Sequence, residues 1–171
     1  MIRDEELKRL ESYAKGLGVK ITKKKGKRFD PGAAWVVDGS EIILFVSPRD
    51  SKTTLILRLI HELAHHKGWI NNGRKQDLNT NQALILDDER NNRKDPPLPK
   101  KQRKLIYETE KNDMQYWDEI IREVNIKIRS ERIKLEKEMD LWTYVYYVKN
   151  GKYPTGTQTK QQRKDLKKKG K

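Results

Sequence analysis

The sequence predicts an α+β fold that contains an N-terminal helix, a small antiparallel β-hairpin, a buried helix and two further C-terminal helices. Apolar residues recur at helical spacing in four segments of the chain. Two short apolar runs, rich in β-branched residues, flank a turn signal between the first two of these segments. Because 171 residues suit one ordinary domain, we assign residues 1–150 to a single domain.

The N-terminal helix is predicted over residues 3–16, where apolar side chains share one face among charged neighbours. Six of the residues in 20–28 are basic, and we interpret this segment as an exposed loop. The hairpin is predicted to pair residues 34–37 with residues 41–46. Gly39 supports the turn between them, because glycine accepts the positive φ of a tight turn.

The buried helix is predicted over residues 53–67, since leucines and isoleucines cover most of its circumference. Asp50 or Ser51 can cap its N-terminus, and Gly68 is expected to end it. Residues 70–100 are rich in Asn, Asp, Arg and Pro and are therefore predicted to form a long loop.

Two more helices are predicted, over residues 102–124 and 130–149, and the second carries an aromatic cluster. Residues 151–171 contain eight basic residues and one acidic residue. Such a polar, charged segment cannot bury enough apolar surface to offset its ordering entropy, so we expect a disordered basic tail.

The composition narrows the possible functions. Lys and Arg number 39 and Asp and Glu 25, which gives a formal charge of +14 and favours phosphate-bearing or acidic partners. The absence of cysteine excludes disulfides, thiolate nucleophiles and cysteine-ligated zinc. The N-terminus is too charged for a signal peptide, and no apolar run approaches the roughly 20 residues of a membrane span. We therefore expect a cytoplasmic protein with no membrane partner.

A metal-binding motif, His61-Glu62-Leu63-Ala64-His65, lies within the predicted buried helix. At 3.6 residues per turn, His61 and His65 share one face, so both imidazoles can reach one zinc ion. Glu62 lies beside them, where it can hold a water molecule against that metal. The alternative is a core helix with three hydrogen-bonded polar residues. That alternative is disfavoured, because burying polar groups without partners is costly.

A catalytic zinc site needs a third protein ligand and an open position for water. All three histidines fall within residues 61–66, and His66 is outside the helical spacing, so we give it a surface, supporting or alternative role. The third ligand is therefore expected to be a carboxylate. Glu110 is the first choice, with Glu108 and Asp113 as alternatives. Asp113 is one helical turn from Glu110 and can orient a ligand histidine.

From about Trp35 to Tyr147 the chain resembles the ImmA/IrrE-type metallopeptidases, gluzincin-like cytosolic proteins common in phages and mobile elements. It looks most like the small phage-encoded members. The resemblance depends on the HELAHH string at residues 61–66, on the later Glu-x-Glu at residues 108–110 and on the aromatic-rich last helix.

The resemblance implies a minimal zincin-like domain in the cytoplasm of a bacterial or phage-infected cell. It implies that His61 and His65 are zinc ligands, that Glu62 is catalytic and that Glu110 is a further ligand. Characterised relatives cleave transcriptional repressors, so a repressor is one candidate substrate.

The leading hypothesis is a zinc-dependent metalloendopeptidase that contains one Zn²⁺ per chain and hydrolyses peptide bonds of a cytosolic protein. Glu62 would act as the general base, taking a proton from a metal-activated water and passing it to the leaving amine. A tyrosine can stabilise the oxyanion, and Tyr107 and Tyr144 both remain open for this role.

The alternative hypothesis is a basic nucleic-acid-binding or phage-associated protein with a structural or vestigial zinc site. The 20–28 segment, residues 100–104 and the tail can each contact phosphates without reading bases. Both hypotheses can hold together, since a peptidase that acts on DNA-bound repressors gains from weak DNA affinity. The candidate contacts outside the tail are Lys23, Lys24, Lys25, Lys27, Arg28, Lys100, Lys101, Arg103 and Lys104.

Overall fold

A computed structural model of the chain describes residues 2–26, 33–35, 39–73 and 96–169. The described residues form six helices and three strands, which confirms the predicted α+β class. In chain order these elements are α1 (Ile2–Gly16), β1 (Lys20–Lys25), β2 (Ala33–Trp35), β3 (Glu41–Val46), α2 (Lys52–Asn71), α3 (Lys100–Asp113), α4 (Tyr116–Glu123), α5 (Ser130–Asn150) and α6 (Gly156–Lys169).

The chain forms two compact units, and each is assembled from two separate segments. Residues 1–75 and 113–128 form the first unit, which contains the sheet, α1, α2 and α4. Residues 76–112 and 129–171 form the second unit, which contains α5, α6 and all of α3 except Asp113.

The sheet has the strand order β1-β3-β2. β2 pairs antiparallel with β3 over three residues, with Trp35 opposite Ile42. β1 pairs parallel with β3 over six residues, with Lys20 opposite Glu41. The predicted antiparallel pairing of the two apolar runs is found between β2 and β3, but the sheet is not purely antiparallel as expected, because the longer partner of β3 is the parallel strand β1. Residues 36–38 of the predicted hairpin lie outside the described part of the chain.

The interpretation of the basic segment as a loop is also corrected, since its first six residues form β1. Backbone hydrogen bonds hold this strand to β3, and these bonds do not depend on side-chain polarity. All four of its lysines are exposed at the edge of the described sheet: Lys20, Lys23, Lys24 and Lys25. Lysine is common on edge strands, because its charge discourages pairing with other chains.

Helix α2 is the central helix of the first unit and packs against α1, α4, β2 and β3. Ser51 caps its N-terminus by accepting a hydrogen bond from the Thr54 amide at 3.1 Å, as one of the two predicted caps. The helix does not end at Gly68 but continues to Asn71. Ile56, Leu59 and many other apolar side chains of α2 are buried, as the all-round apolar pattern predicts.

The single helix predicted over residues 102–124 is wrong, because the chain forms α3 and α4 with a turn at Met114 and Gln115. Neither glycine nor proline marks this break. Met114 and Trp117 are both buried in the first unit, so packing of these side chains explains why the helix is interrupted.

The tail predicted to be disordered forms helix α6, which packs on α5 in the second unit. Arg163 donates two hydrogen bonds to the Glu136 carboxylate, at 2.6 and 2.8 Å. This pair of hydrogen bonds helps to hold α6 on α5, and the number of basic residues in the segment gives no indication of it. Within the described residues, no helix has the length and apolar character needed to cross a bilayer.

Candidate metal centre

Helix α2 brings two imidazoles of the first unit together. The Nε2 atoms of His61 and His65 are 3.1 Å apart, and the two rings are nearly perpendicular. This arrangement follows from their four-residue spacing, which places both side chains over one turn of the helix. Ligand atoms bound to tetrahedral zinc at about 2.1 Å are separated by about 3.4 Å, so the two nitrogens already have nearly the separation that zinc requires.

Asp113 holds the second of these histidines in a useful orientation. Its Oδ2 lies 2.8 Å from Nδ1 of His65. A proton on Nδ1 satisfies this hydrogen bond and leaves the Nε2 lone pair facing His61. The contact is of the kind predicted from the sequence, where Asp113 was expected to orient a ligand histidine.

Gly68 allows the close approach of Asp113 to α2. A Cβ atom at this position would be 2.1 Å from Oδ1 of Asp113 and 2.9 Å from its Cγ. The prediction that Gly68 ends the helix is therefore wrong. Gly68 lies inside the helix, where only a hydrogen atom leaves room for the carboxylate. The glycine lies three residues after His65 and so on the same side of the helix.

Glu110 and the two histidines are three side chains that together could hold a metal ion. One ligand atom each from His61, His65 and Glu110 all lie within 4.8 Å of one another. Glu110 is 6% exposed and lies one helical turn before Asp113 in α3. This set of two imidazoles and one carboxylate fits zinc, which binds nitrogen and carboxylate ligands in catalytic sites.

Tyr144 interacts with Glu110 within the second unit through a side-chain hydrogen bond. Burial raises the pKa of the Tyr144 phenol well above its usual value, and the negative charge of Glu110 raises it further. The hydroxyl therefore stays protonated and can donate to the carboxylate. Tyr144 is one of the two tyrosines considered above for stabilising the oxyanion. In the structure it contacts a candidate metal ligand.

Glu62, the predicted general base, is 7% exposed and lies next to His61 in α2. Trp117 of α4 also contacts the site, with its ring perpendicular to the His61 imidazole and 5.9 Å from it. The sequence analysis did not identify Trp117 as part of the site. The one feature of the sequence that could have indicated Trp117 is its position in the segment predicted as a helix over residues 102–124.

Among the described residues, the candidate ligand group does not include Glu108 or His66. Glu108 is exposed on α3. His66 is 1% exposed, and its Nε2 lies 3.3 Å from the Leu17 carbonyl oxygen. Its ring also packs against Trp69. The structure therefore gives His66 a packing position between α2 and the end of α1, not a place among the ligands.

Lys67 makes a second cluster of charges close to the site, which the sequence analysis missed. Its Nζ donates to the Tyr13 hydroxyl at 3.0 Å and forms ion pairs with Glu119 and Glu123 at 2.8 and 2.9 Å. Burial opposes the charged form of Lys67, but these hydrogen bonds outweigh it and raise its pKa. The cluster connects α1, α2 and α4, and so stabilises the packing that positions Trp117.

The basic residues proposed as nucleic-acid contacts do not form one described group. Lys27 and Arg28 lie outside the described residues, and Lys23 is paired with Glu11 at 2.6 Å. Arg103 packs over the Tyr147 ring, which gives it a structural role in the second unit. The remaining candidates on β1 and α3 are exposed: Lys24, Lys25, Lys100, Lys101 and Lys104.

Comparison of the chain with protein-family models, with curated proteins and with solved structures finds no match. The functional interpretation therefore depends on the geometry of the site and on the resemblance stated above.

Proposed function

We propose that this protein is a zinc-dependent metallopeptidase of the gluzincin type. The observation that carries the proposal is the convergence of ligand atoms from His61, His65 and Glu110 within 4.8 Å, with Glu62 beside the first histidine. Two histidines and a glutamate are the protein ligands of known catalytic zinc sites in peptidases. The substrate class, a protein, follows from the resemblance to ImmA/IrrE-type enzymes.

Each residue of the group has a defined task in this proposal. His61, His65 and Glu110 hold the metal, and Asp113 fixes the His65 ring through Nδ1. A bound zinc ion supplies Lewis acidity, which polarises a carbonyl group and lowers the pKa of water. Tyr144 holds the Glu110 carboxylate through its protonated hydroxyl.

Glu62 moves the proton in this proposal. A carboxylate next to the metal ligands can accept a proton from the attacking water and deliver it to the leaving amine. The low exposure of Glu62 favours this role, because electrostatic interactions are stronger where water is excluded.

Metal binding tests the ligand set. Zinc content per chain, measured by elemental analysis after dialysis, is expected to be about one in the wild type and much lower in His61→Ala and Glu110→Gln. Glu108→Gln is the matched control, because it removes an exposed carboxylate from the same helix and should keep its zinc. Equal zinc content in Glu110→Gln and Glu108→Gln would remove Glu110 from the ligand set.

Cleavage of a fluorescent casein substrate tests the reaction. Glu62→Gln should retain its zinc and lose at least about a hundredfold in turnover, since general-base catalysis contributes that much or more. Full activity of this variant would exclude Glu62 from the mechanism. Zinc bound by a wild type that cleaves neither casein nor repressor proteins would contradict the peptidase proposal while leaving the metal site intact.

A further inference from the structure

Helix α6 has a positively charged side, which we call the α6 lysine face: Lys160, Lys164, Lys167 and Lys168. The four residues are spaced at i, i+4, i+7 and i+8, so they lie along one side of the helix. All four side chains are exposed. The rise of 1.5 Å per residue separates Lys160 from Lys164, and Lys164 from Lys168, by about 6 Å.

The opposite side of α6 is fixed to α5; of the four lysines, Lys167 is close enough to Glu136 of α5 for its charge to help lower the pKa of that carboxyl. Arg163 makes its two hydrogen bonds to Glu136, and Gln158 donates to the Tyr146 hydroxyl at 2.8 Å. Thr155 and Gln158 hydrogen-bond each other at the start of the helix. The lysine face is thus part of an ordered element and not of a flexible tail.

The lysine face is electrostatically costly for the helix itself. Like charges at i and i+4 destabilise a helix, and two such pairs occur here: Lys160 with Lys164, and Lys164 with Lys168. Asp165 is the one acid of α6, and it accepts a hydrogen bond from Gln161. No ion pair in the described part of the chain neutralises Lys160, Lys164 or Lys168. A polyanionic partner would relieve this repulsion.

We propose that the α6 lysine face binds the phosphate backbone of nucleic acid without reading its sequence. A regular row of lysines suits the repeated charge of a phosphate backbone, and such contacts supply most non-specific binding. The face has no aromatic or large aliphatic residue that could anchor a protein partner or insert into a membrane. The proposal is independent of the peptidase reaction, because it involves none of the metal-site residues.

The test measures binding of the full-length protein to a labelled random-sequence DNA duplex. Fluorescence anisotropy reports the binding at several salt concentrations. The test variant replaces all four lysines of the face with glutamine, which preserves helix propensity. The matched control replaces the four lysines of β1 with glutamine: Lys20, Lys23, Lys24 and Lys25. Both variants lose four charges, so the difference between them reports position and not net charge.

If the face contacts about four phosphates, its removal should reduce the slope of log K against log salt by about 3–4. The β1 variant should keep at least half of the wild-type slope. Replacement of the four α6 lysines with arginine should preserve binding, because it keeps the charges. If the glutamine variant loses α6, seen as reduced helical circular dichroism, this arginine variant still tests the face, and its failure to bind would overturn the proposal.

Three other results would overturn the proposal. They are equal losses in the α6 and β1 variants, binding of the wild type that does not depend on salt, and binding to phosphatidylserine vesicles or polyglutamate without binding to DNA. A parallel titration with an RNA duplex identifies the source of the phosphates, and binding to either duplex through the α6 face supports the proposal.

Discussion

At the scale of single residues, the site depends on how closely two helices approach at Gly68. The Asp113 carboxylate occupies the space that a Cβ atom of residue 68 would need, and the same carboxylate contacts His65. The absence of a side chain at residue 68 therefore leaves room for the carboxylate that orients a candidate metal ligand.

Replacement of Gly68 with alanine tests this relationship. Glycine inside a helix is less stable than alanine by about 0.5–1 kcal/mol, so propensity alone predicts stabilisation. We expect instead a loss of zinc affinity of about 10–100-fold, the usual effect of losing a residue that orients a ligand. Zinc competition titration with a chromogenic chelator measures this change.

The control is Gly16→Ala at the end of α1, where an added Cβ meets nothing within 4 Å. This variant should bind zinc like the wild type. A Gly68→Ala protein with unchanged zinc affinity would show that the contact between Asp113 and His65 is dispensable.

The three candidate carboxylates of α3 illustrate what helical geometry can predict. Residues 110 and 113 are about 60° apart around a helix and so share a side. Residue 108 is about 160° from residue 110 and lies on the opposite side. The structure agrees, because Glu108 is exposed and Glu110 is buried. Periodicity alone could group Glu110 with Asp113, but it could not show which side of α3 is buried.

Among the elements, α6 is attached to α5 by the partly buried ion pair between Arg163 and Glu136. Burial by itself would raise the pKa of Glu136, but the hydrogen bond and the charge of Arg163 outweigh it and hold the pKa below its ordinary value of 4.5. A group whose pKa is lowered in the folded state stabilises that state above the unfolded pKa. This stabilisation is lost as the pH falls through the folded pKa.

Glu136→Gln should therefore lower the free energy of unfolding at neutral pH by about 1 kcal/mol, which allows for solvent screening of a partly exposed pair. The difference from wild type should shrink as the pH falls below 4.5. Urea denaturation at several pH values measures it. Glu138→Gln is the control, since Glu138 lies on the same helix and has a long 3.9 Å pair with Lys134. If the difference in free energy of unfolding between the two variants did not change with pH, the stabilising role of the Glu136 carboxylate would be contradicted.

The break between α3 and α4 also depends on how the helices pack. The local sequence Asn112-Asp113-Met114-Gln115 contains no residue that stops a helix strongly. The interruption accompanies burial of Met114 and Trp117 and contact of Asp113 with His65. Tertiary packing has therefore overridden the local helical preference.

At the scale of the whole molecule, zinc should act as a stabilising ligand, because the ligand group exists in the folded chain. A ligand that binds only the folded state stabilises it by about 2.7 kcal/mol when its free concentration is 100 times Kd. For a chain of this size, that corresponds to an increase in Tm of about 5–10 °C.

Thermal unfolding of chelator-treated protein, with and without added zinc chloride, measures this effect. His61→Ala should show little or no increase in Tm under the same conditions. An equal increase in wild type and His61→Ala would mean that zinc stabilises the chain from another site.

From the sequence it was possible to predict the α+β class, the N-terminal and last long helices and the pairing of His61 with His65 on one face of α2. These features depend on periodicity and on spacing within one helix, which local geometry controls. The ligand role of Glu110 and the function of the site remain predictions, to be decided by the zinc and cleavage measurements.

The fold revealed three features that the sequence did not predict: β1 pairs parallel with β3, α3 and α4 are separate helices, and α6 packs on α5. It also showed that Gly68 makes room for Asp113. Each of these features depends on contacts between residues far apart in the chain. Such contacts leave no periodic signal in the sequence, because each depends on how two distant segments pack in space.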